Sequence, residues 1–306
     1  MPAAWTRSVR TANGVGVAVA YRDKEQGLKA DLGVSPVGFL YSTPIGGVSL
    51  NRPFDSNSDY RYGVSVSRRA VTDSVTSFAG SRDPRTGDKW GGVTANGVRG
   101  ELSYDDQKVG AYGYGSAHVL LGNNVESNNR FELGSGIYWY LRNAPDSILT
   151  LGLSGSALTY ANNQDFFTVG HGGYFSPQTF FALGVPISWS QRTENFTYRV
   201  KGSVGVQHIG QDSAEVFPGN SDLQPRATAV GLTGYGSESK TGVGYSLNAA
   251  GEYKLGSSFF LGGTLGVDNA SDYRQLSGGV YLRYTFEDMT GPMALPVSPF
   301  GSPYSN

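Results

Sequence analysis

The run Leu276-Ser277-Gly278-Gly279-Val280-Tyr281-Leu282-Arg283-Tyr284-Thr285-Phe286-Glu287 alternates in character at every step. Leu276, Gly278, Val280, Leu282, Tyr284 and Phe286 fall on one side. Ser277, Gly279, Tyr281, Arg283, Thr285 and Glu287 fall on the other. A period of two belongs to an extended backbone, whose successive side chains point to opposite faces. Two environments accept such a strand. In a soluble sandwich the apolar face packs on a second sheet. In an outer-membrane barrel it meets lipid, with terminal aromatics at the headgroup level.

Composition separates the two. Of 306 residues, 44 are Gly, aromatics make up 12% and charged residues only 16%, with no Cys. Soluble domains carry roughly 25% charged residues, so this chain suits a wall in contact with lipid. The net charge of -1 offers nothing to a polyanion, and no nucleic-acid partner is expected. No segment reaches the roughly 18 consecutive apolar residues of a membrane helix. The mean hydropathy of -0.28 does not argue against a barrel, because alternation halves the hydropathy of each spanning strand. The start, Met1-Pro2-Ala3-Ala4-Trp5, lacks the charged and apolar regions of a secretory signal, so an exported protein is expected to continue upstream.

The same alternation recurs along the chain. Strands are expected over Val15 to Tyr21, Leu28 to Val34, Gly46 to Leu50, Tyr60 to Arg69, Thr94 to Tyr104, Lys108 to Leu121, Phe131 to Leu141, Leu149 to Leu153, Phe196 to Gln207, Val243 to Leu255 and Phe259 to Val267. A weaker one is expected near Thr72 to Ala79, and no helical period is found. Connections at Asp105 to Gln107, Asn143 to Asp146, Gln191 to Asn195 and Gly256 to Ser257 are short. Those at Gly80 to Lys89, Asn123 to Asn129, Ala161 to Ser176 and Gly210 to Thr241 are longer. Tight periplasmic turns alternating with longer outer loops are the bacterial barrel pattern. Tyr104, Trp139, Phe196, Tyr198, Tyr253, Phe259, Tyr284 and Phe286 then gather at the short-turn end of the outward face, as a lipid-facing aromatic girdle. The expected fold is all-β: a transmembrane antiparallel β-barrel of 16 strands, with further strands sought near Val37 to Tyr41, Phe166 to Gly170 or within Gly210 to Thr241. A barrel of that size encloses a water-filled channel.

The segments Tyr174-Phe175-Ser176-Pro177-Gln178-Thr179-Phe180, Gln191-Arg192-Thr193-Glu194-Asn195-Phe196 and Trp90-Gly91-Gly92-Val93-Thr94-Ala95-Asn96-Gly97, with Gly122-Asn123-Asn124, resemble the C-terminal barrel domain of cellulose synthase operon protein C. The resemblance runs from about Gly14 to Glu287. It implies an outer-membrane location and a channel exporting a β-1,4-glucan, cellulose. It also implies a periplasmic array of tetratricopeptide repeats upstream, which would link the barrel to the inner-membrane cellulose synthase. On that reading residues 1–13 are a linker, 14–287 the barrel and 288–306 a Pro-rich tail.

A neutral glucan needs hydroxyl partners and flat apolar faces, and Tyr supplies both. Alternation points Tyr112, Tyr114, Tyr138, Tyr140 and Tyr281 into the lumen, with Arg142, Arg199, Lys201, Arg283, Glu132, Glu252 and Glu287. The tyrosines are read as a surface of many weak contacts, and the charged residues as pairs that brace the wall. Inward cations balanced by inward Glu favour a neutral polymer over an acidic exopolysaccharide, the alternative cargo. A soluble β-sandwich binding carbohydrate is the third reading. His171 with Ser176 and Asp165 is the best nucleophile set, but the sequence assigns it no base and orienter, and neither enzyme, cofactor nor metal site is expected. The tail, with Pro292, Pro296, Pro299 and Pro303, is read as a disordered end or as a segment folded into the lumen entrance.

Overall fold

The computed structural model describes residues 11–23, 25–83, 86–270 and 273–297. Its strands are β1 (Val15–Asp23), β2 (Leu28–Val37), β3 (Pro44–Pro53), β4 (Tyr60–Ala70), β5 (Ser81–Arg82), β6 (Lys89–Asp105), β7 (Val109–Asn123), β8 (Val125–Ala144), β9 (Ser147–Tyr160), β10 (Thr179–Arg192), β11 (Phe196–Gln211), β12 (Glu238–Lys254), β13 (Phe259–Ala270) and β14 (Tyr273–Tyr284). All pair antiparallel in sequence order in one 14-stranded sheet, with β5 a side branch on β6. A closed sheet of sixteen strands is not what this topology contains: among the described residues, β1 and β14 are not paired with each other.

The candidate extra strands take other forms. Residues 37–41 and 166–170 contribute isolated bridges, Val37 to Phe39 and Gly170 to Val125. Residues 211–238 hold the helix α2 (Leu223–Ala229) and a bridge from Ala214 to Tyr235. The strand expected near Thr72 to Ala79 is a helix, α1 (Val75–Ala79). Its alternation is overruled by a reciprocal cap: the Ser74 hydroxyl accepts from the Ser77 N–H, and the Ser77 hydroxyl from the Ser74 N–H. The loop expected at Asn123 to Asn129 shrinks to Asn124, whose positive φ of 48° turns β7 directly into β8. β10 lies outside the strands expected from alternation, and its ladder to β9 has no pairs at Val185 and Pro186; a proline has no N–H to give.

One face of the sheet is apolar and uncovered. Leu133, Leu183, Leu265, Leu276 and Val280 are between 66% and 82% exposed, and among the described residues no second sheet lies on them. That removes the sandwich reading. Soluble monomers rarely expose apolar patches beyond a few hundred Å². The packed core sits instead at the long-connection end, where loops gather. One cluster holds Val93, Ala95, Leu120, Tyr160 and Tyr174, and another Trp90, Val169, Phe217 and Ala227. At the opposite end the segment 288–297 returns along the polar face. Lys254 Nζ donates to the Met289 carbonyl at 2.7 Å, Arg192 Nη1 to the Met293 carbonyl at 2.8 Å and the Thr197 hydroxyl to the Ala294 carbonyl at 2.9 Å. Met293 and Val297 are 1% exposed there.

Candidate functional site

The polar face is built from tyrosines laid across glycines. Gly110 stands opposite Tyr138 on β8 and opposite Asp105 on β6. The Tyr138 ring crosses Gly110 and its hydroxyl donates to Asp105 Oδ2 at 2.7 Å. The same arrangement recurs three strands wide at the far side of the sheet. Gly262 stands opposite Tyr281 on β14 and Glu252 on β12, and the Tyr281 hydroxyl donates to Glu252 Oε2 at 3.0 Å. A Cβ added at Gly262 would overlap the Tyr281 ring, and one at Gly110 the Tyr138 ring. Gly134 and Gly136 lie in the same way under Tyr114 and Tyr112. With the rings flat on the wall, large aromatic surfaces face the polar side without filling it.

Carboxylates fix the rings of Tyr114, Tyr138, Tyr140 and Tyr281. Tyr140 also donates to Asp105 Oδ2, at 2.7 Å, and its ring meets that of Tyr138 edge-on at 5.8 Å. Tyr114 donates to Glu132 Oε1 at 2.8 Å, while the Arg99 guanidinium lies 3.5 Å above its ring. Arg283 holds Glu252 with two nitrogens, at 3.1 and 2.5 Å, and stacks 3.9 Å from the Phe260 ring. Arg69 pairs with Asp31 and Arg99 with Glu101. Arg199 and Lys201, neighbours on the same face of β11, have no ion pair with a carboxylate among the described residues.

Arg142 does not join Tyr138 and Tyr140. The register shifts between Tyr140 and Arg142, and Arg142 pairs with Leu149, itself opposite Trp189 of the apolar face. One extra residue in a strand reverses every later side chain. By sequence Asp105 belongs to a short turn. Its role depends on cross-strand register, which the sequence does not display.

The aromatics expected as a girdle stand beside the short turns on the exposed face, several in contact. Phe259 and Tyr284 rings lie 4.9 Å apart, Tyr284 and Phe286 5.3 Å, and Phe196 and Tyr198 5.7 Å. Tyr104 meets Tyr60 at 4.9 Å. Tyr253 pairs with Phe196 and Trp139 with Val109, at the same level.

At the other end, the segments 71–80, 161–178 and 212–237 interlock over the sheet. Gln164, fully buried, receives the Gly172 N–H on Oε1 at 2.9 Å and donates to Glu126 Oε2 at 3.0 Å. Thr168 donates to the Val216 carbonyl at 2.5 Å, and Phe166 stacks on Tyr235 at 3.7 Å. Burial raises the pKa values of Asp73 and Asp165. It pushes that of His171 down to about 4, although the ring bonds the Glu215 carbonyl at 2.9 Å. Ser176 bonds Gln164 and Tyr174, and Asp165 bonds Gln211. None of these bonds joins two members of the His171, Ser176 and Asp165 set. No cluster of three or more His, Asp or Glu able to hold a metal occurs among the described residues.

Comparison with known proteins gives this architecture a family. A chain described as a bacterial polysaccharide outer membrane secretin superposes with a TM-score of 0.52 at 15% identity, covering 89% of this chain and 79% of the other; that likeness concerns the fold. Cellulose synthase operon protein C of Pseudomonas fluorescens is 66% identical over 294 residues, 96% of this chain. The proteins of that name from Xanthomonas axonopodis pv. citri and Salmonella typhimurium are 39% and 32% identical over 95% and 97% of it. The chain spans only 23%, 20% and 25% of the lengths of those three relatives. The sequence profile described as cellulose synthase operon protein C C-terminus matches residues 3–287, and the chain belongs to that family.

Proposed function

We propose that the chain forms the wall of an outer-membrane channel through which a neutral β-1,4-glucan leaves the cell. The observation that carries this reading is the pairing of an uncovered apolar face with a polar face paved by flat tyrosines. Lipid is the partner of the first, with the girdle aromatics at one headgroup level. The polymer is the partner of the second. Tyr112, Tyr114, Tyr138, Tyr140 and Tyr281 offer ring faces to the C–H faces of sugars, and carboxylates that hold the hydroxyls of Tyr114, Tyr138, Tyr140 and Tyr281 keep those rings against the wall. Weak, repeated contacts let a chain slide, whereas one strong site would hold it.

Closure follows from the medium. In lipid an unpaired sheet edge leaves backbone groups without partners, so the sheet must close. Fourteen strands less the side branch β5 leave thirteen in the antiparallel path, and β1 and β14 therefore run the same way. An antiparallel barrel needs an odd number of further strands between them, and three complete the sixteen expected from the sequence. The segment 288–297 narrows the short-turn mouth, and the interlocked segments cover the other. The relatives' names support assembly with a cellulose synthase, which the full-length protein would reach across the periplasm.

The test is export. In cells lacking the gene, full-length protein should restore cellulose outside the cell, measured as glucose released by cellulase. Replacing Tyr138 and Tyr140 together by Ala should lower that yield several-fold at equal protein level. External cellulose that persists without the gene would refute the reading. Strong anion selectivity in planar bilayers would favour the alternative cargo, an acidic exopolysaccharide.

A further inference from the structure

The segment Tyr174–Phe180 is fastened at nearly every residue but one ring. Tyr174 is 1% exposed and its hydroxyl accepts from Asn128 Nδ2 at 3.2 Å. Ser176, fully buried, accepts the Gln164 N–H on its hydroxyl at 2.6 Å and donates to the Tyr174 carbonyl at 3.2 Å. The Pro177 carbonyl accepts the Tyr160 N–H at 2.9 Å. Gln178 Nε2 donates to the Ser176 carbonyl at 2.9 Å, and its Oε1 accepts the Asp212 N–H at 2.7 Å. Phe175 is held by its backbone, whose N–H donates to Asp73 Oδ2 at 3.0 Å. Its side chain is not packed away like that of Tyr174. It is half-buried, meets the Phe180 ring edge-on at 6.0 Å, and borders a cavity of about 450 Å³.

 Tyr112 and Tyr114 of β7 also line that cavity, with Ser154 and Ser156 of β9, Ser203 of β11 and Ser246 of β12.

A bracket this rigid around one half-open phenylalanine is more than core filling. A buried ring would gain the full hydrophobic benefit, of about 1.5–3 kcal/mol for a Phe side chain, which a half-open ring forgoes. The surroundings are chemically specific. A β-linked glucose ring has C–H groups on both broad faces and hydroxyls around its rim. The cavity brings aromatic rings and serine side chains into one lining. We propose that Phe175 is a stacking platform for one glucose ring of the exported chain, a binding residue at the long-connection end of the channel. This rests on the glucan-export reading and names a residue that carries it.

The experiment measures binding of cellohexaose to the full-length protein in detergent micelles by saturation-transfer NMR, which reads weak complexes. Phe175→Ala and Phe175→Leu should each raise Kd about tenfold, equivalent to about 1.4 kcal/mol, while Phe175→Trp should restore it. Leu keeps the apolar bulk that a purely structural ring supplies, so a structural role would be rescued by Leu as well as by Trp. Wild-type affinity in either Phe175→Ala or Phe175→Leu would overturn the proposal. So would an absence of cellohexaose binding by the wild-type protein. The export reading stands or falls separately, on the cellulase assay above, which does not depend on a measurable affinity.

Discussion

Replacing Gly262 by Ala tests whether the tyrosines are held down by the glycines beneath them. The new Cβ would lie 2.6 Å from Tyr281 Cε1 and closer still to Cζ and Oη. Carbon atoms in ordinary contact are about 3.5–4.0 Å apart, so the ring must lift by about 1 Å. The ring is only half-buried and has room to lift, so the main loss is its 3.0 Å hydrogen bond to Glu252. Hydrogen bonds to charged groups contribute about 1.5–3 kcal/mol. Against this, Ala is favoured over Gly inside a strand by about 0.5–1 kcal/mol. The expected net is a destabilisation of about 1 kcal/mol. In a Tyr281→Ala background there is no ring to displace, and Gly262→Ala should instead stabilise by about 0.5–1 kcal/mol. The reversal of sign is the signature, and the coupling of about 1.5–3 kcal/mol falls in the range that contacting residues show. The assay is urea unfolding of the four proteins in one detergent, followed by tryptophan fluorescence. If Gly262→Ala has the same sign in both backgrounds, the glycine is not there for the ring.

Among the described residues Arg199 and Lys201 have no carboxylate partner on the polar face, so under the proposed function their charge acts on whatever passes. Changing both to Gln should shift the reversal potential under a KCl gradient toward cation selectivity, and an unchanged potential would mean their field does not reach the path. His171 gives a pH dependence whose sign follows from burial. Its folded pKa of about 4 lies below the ordinary 6.5, so the unfolded segment takes a proton first as pH falls. Stability is therefore complete above pH 6.5 and is lost between 6.5 and about 4, by on the order of 3 kcal/mol. Asp73 and Asp165, raised by burial, act in the opposite sense at the acid end. Hydrogen exchange in residues 161–178 should accelerate over that window, and His171→Gln should flatten the response; exchange independent of pH beyond the intrinsic chemistry would refute it.

Periodicity made the strands legible, because a period of two survives substitution of nearly any residue at a single position. Parity puts Tyr112, Tyr114, Tyr138, Tyr140 and Tyr281 on the polar face, and the bonds from Tyr114, Tyr138, Tyr140 and Tyr281 to Asp105, Glu132 and Glu252 fall on that face too. It failed at Arg142 because parity is conserved only while the register is, and a shift after Tyr140 reverses it. It failed at α1 because five residues with a serine cap carry too little sequence for a helical period to show. In the sequence Phe175 is visible only as part of a family-like segment, since its placement depends on bonds from that segment to Asp73 and Asp212 on other loops.

The glycines carry the deeper lesson about what a sequence withholds. Read along the chain they suggest bends and small neighbours in a curved wall. Read across the strands they fall under particular rings: Gly110 between Tyr138 and Asp105, and Gly262 between Tyr281 and Glu252. Both triplets place a tyrosine, a glycine and a carboxylate on three successive strands, although the residues concerned are separated by different lengths of chain. A linear motif cannot express that. The property being specified is a smooth interior, and it depends on three residue types meeting in register: a broad ring, an absent side chain to lie on, and an acceptor to hold its far end. A wide ring without the glycine would stand up into the channel, and without the carboxylate it would be free to do so. On a wall proposed to let a polymer slide, the missing side chains are therefore as much a part of the contact surface as the tyrosines.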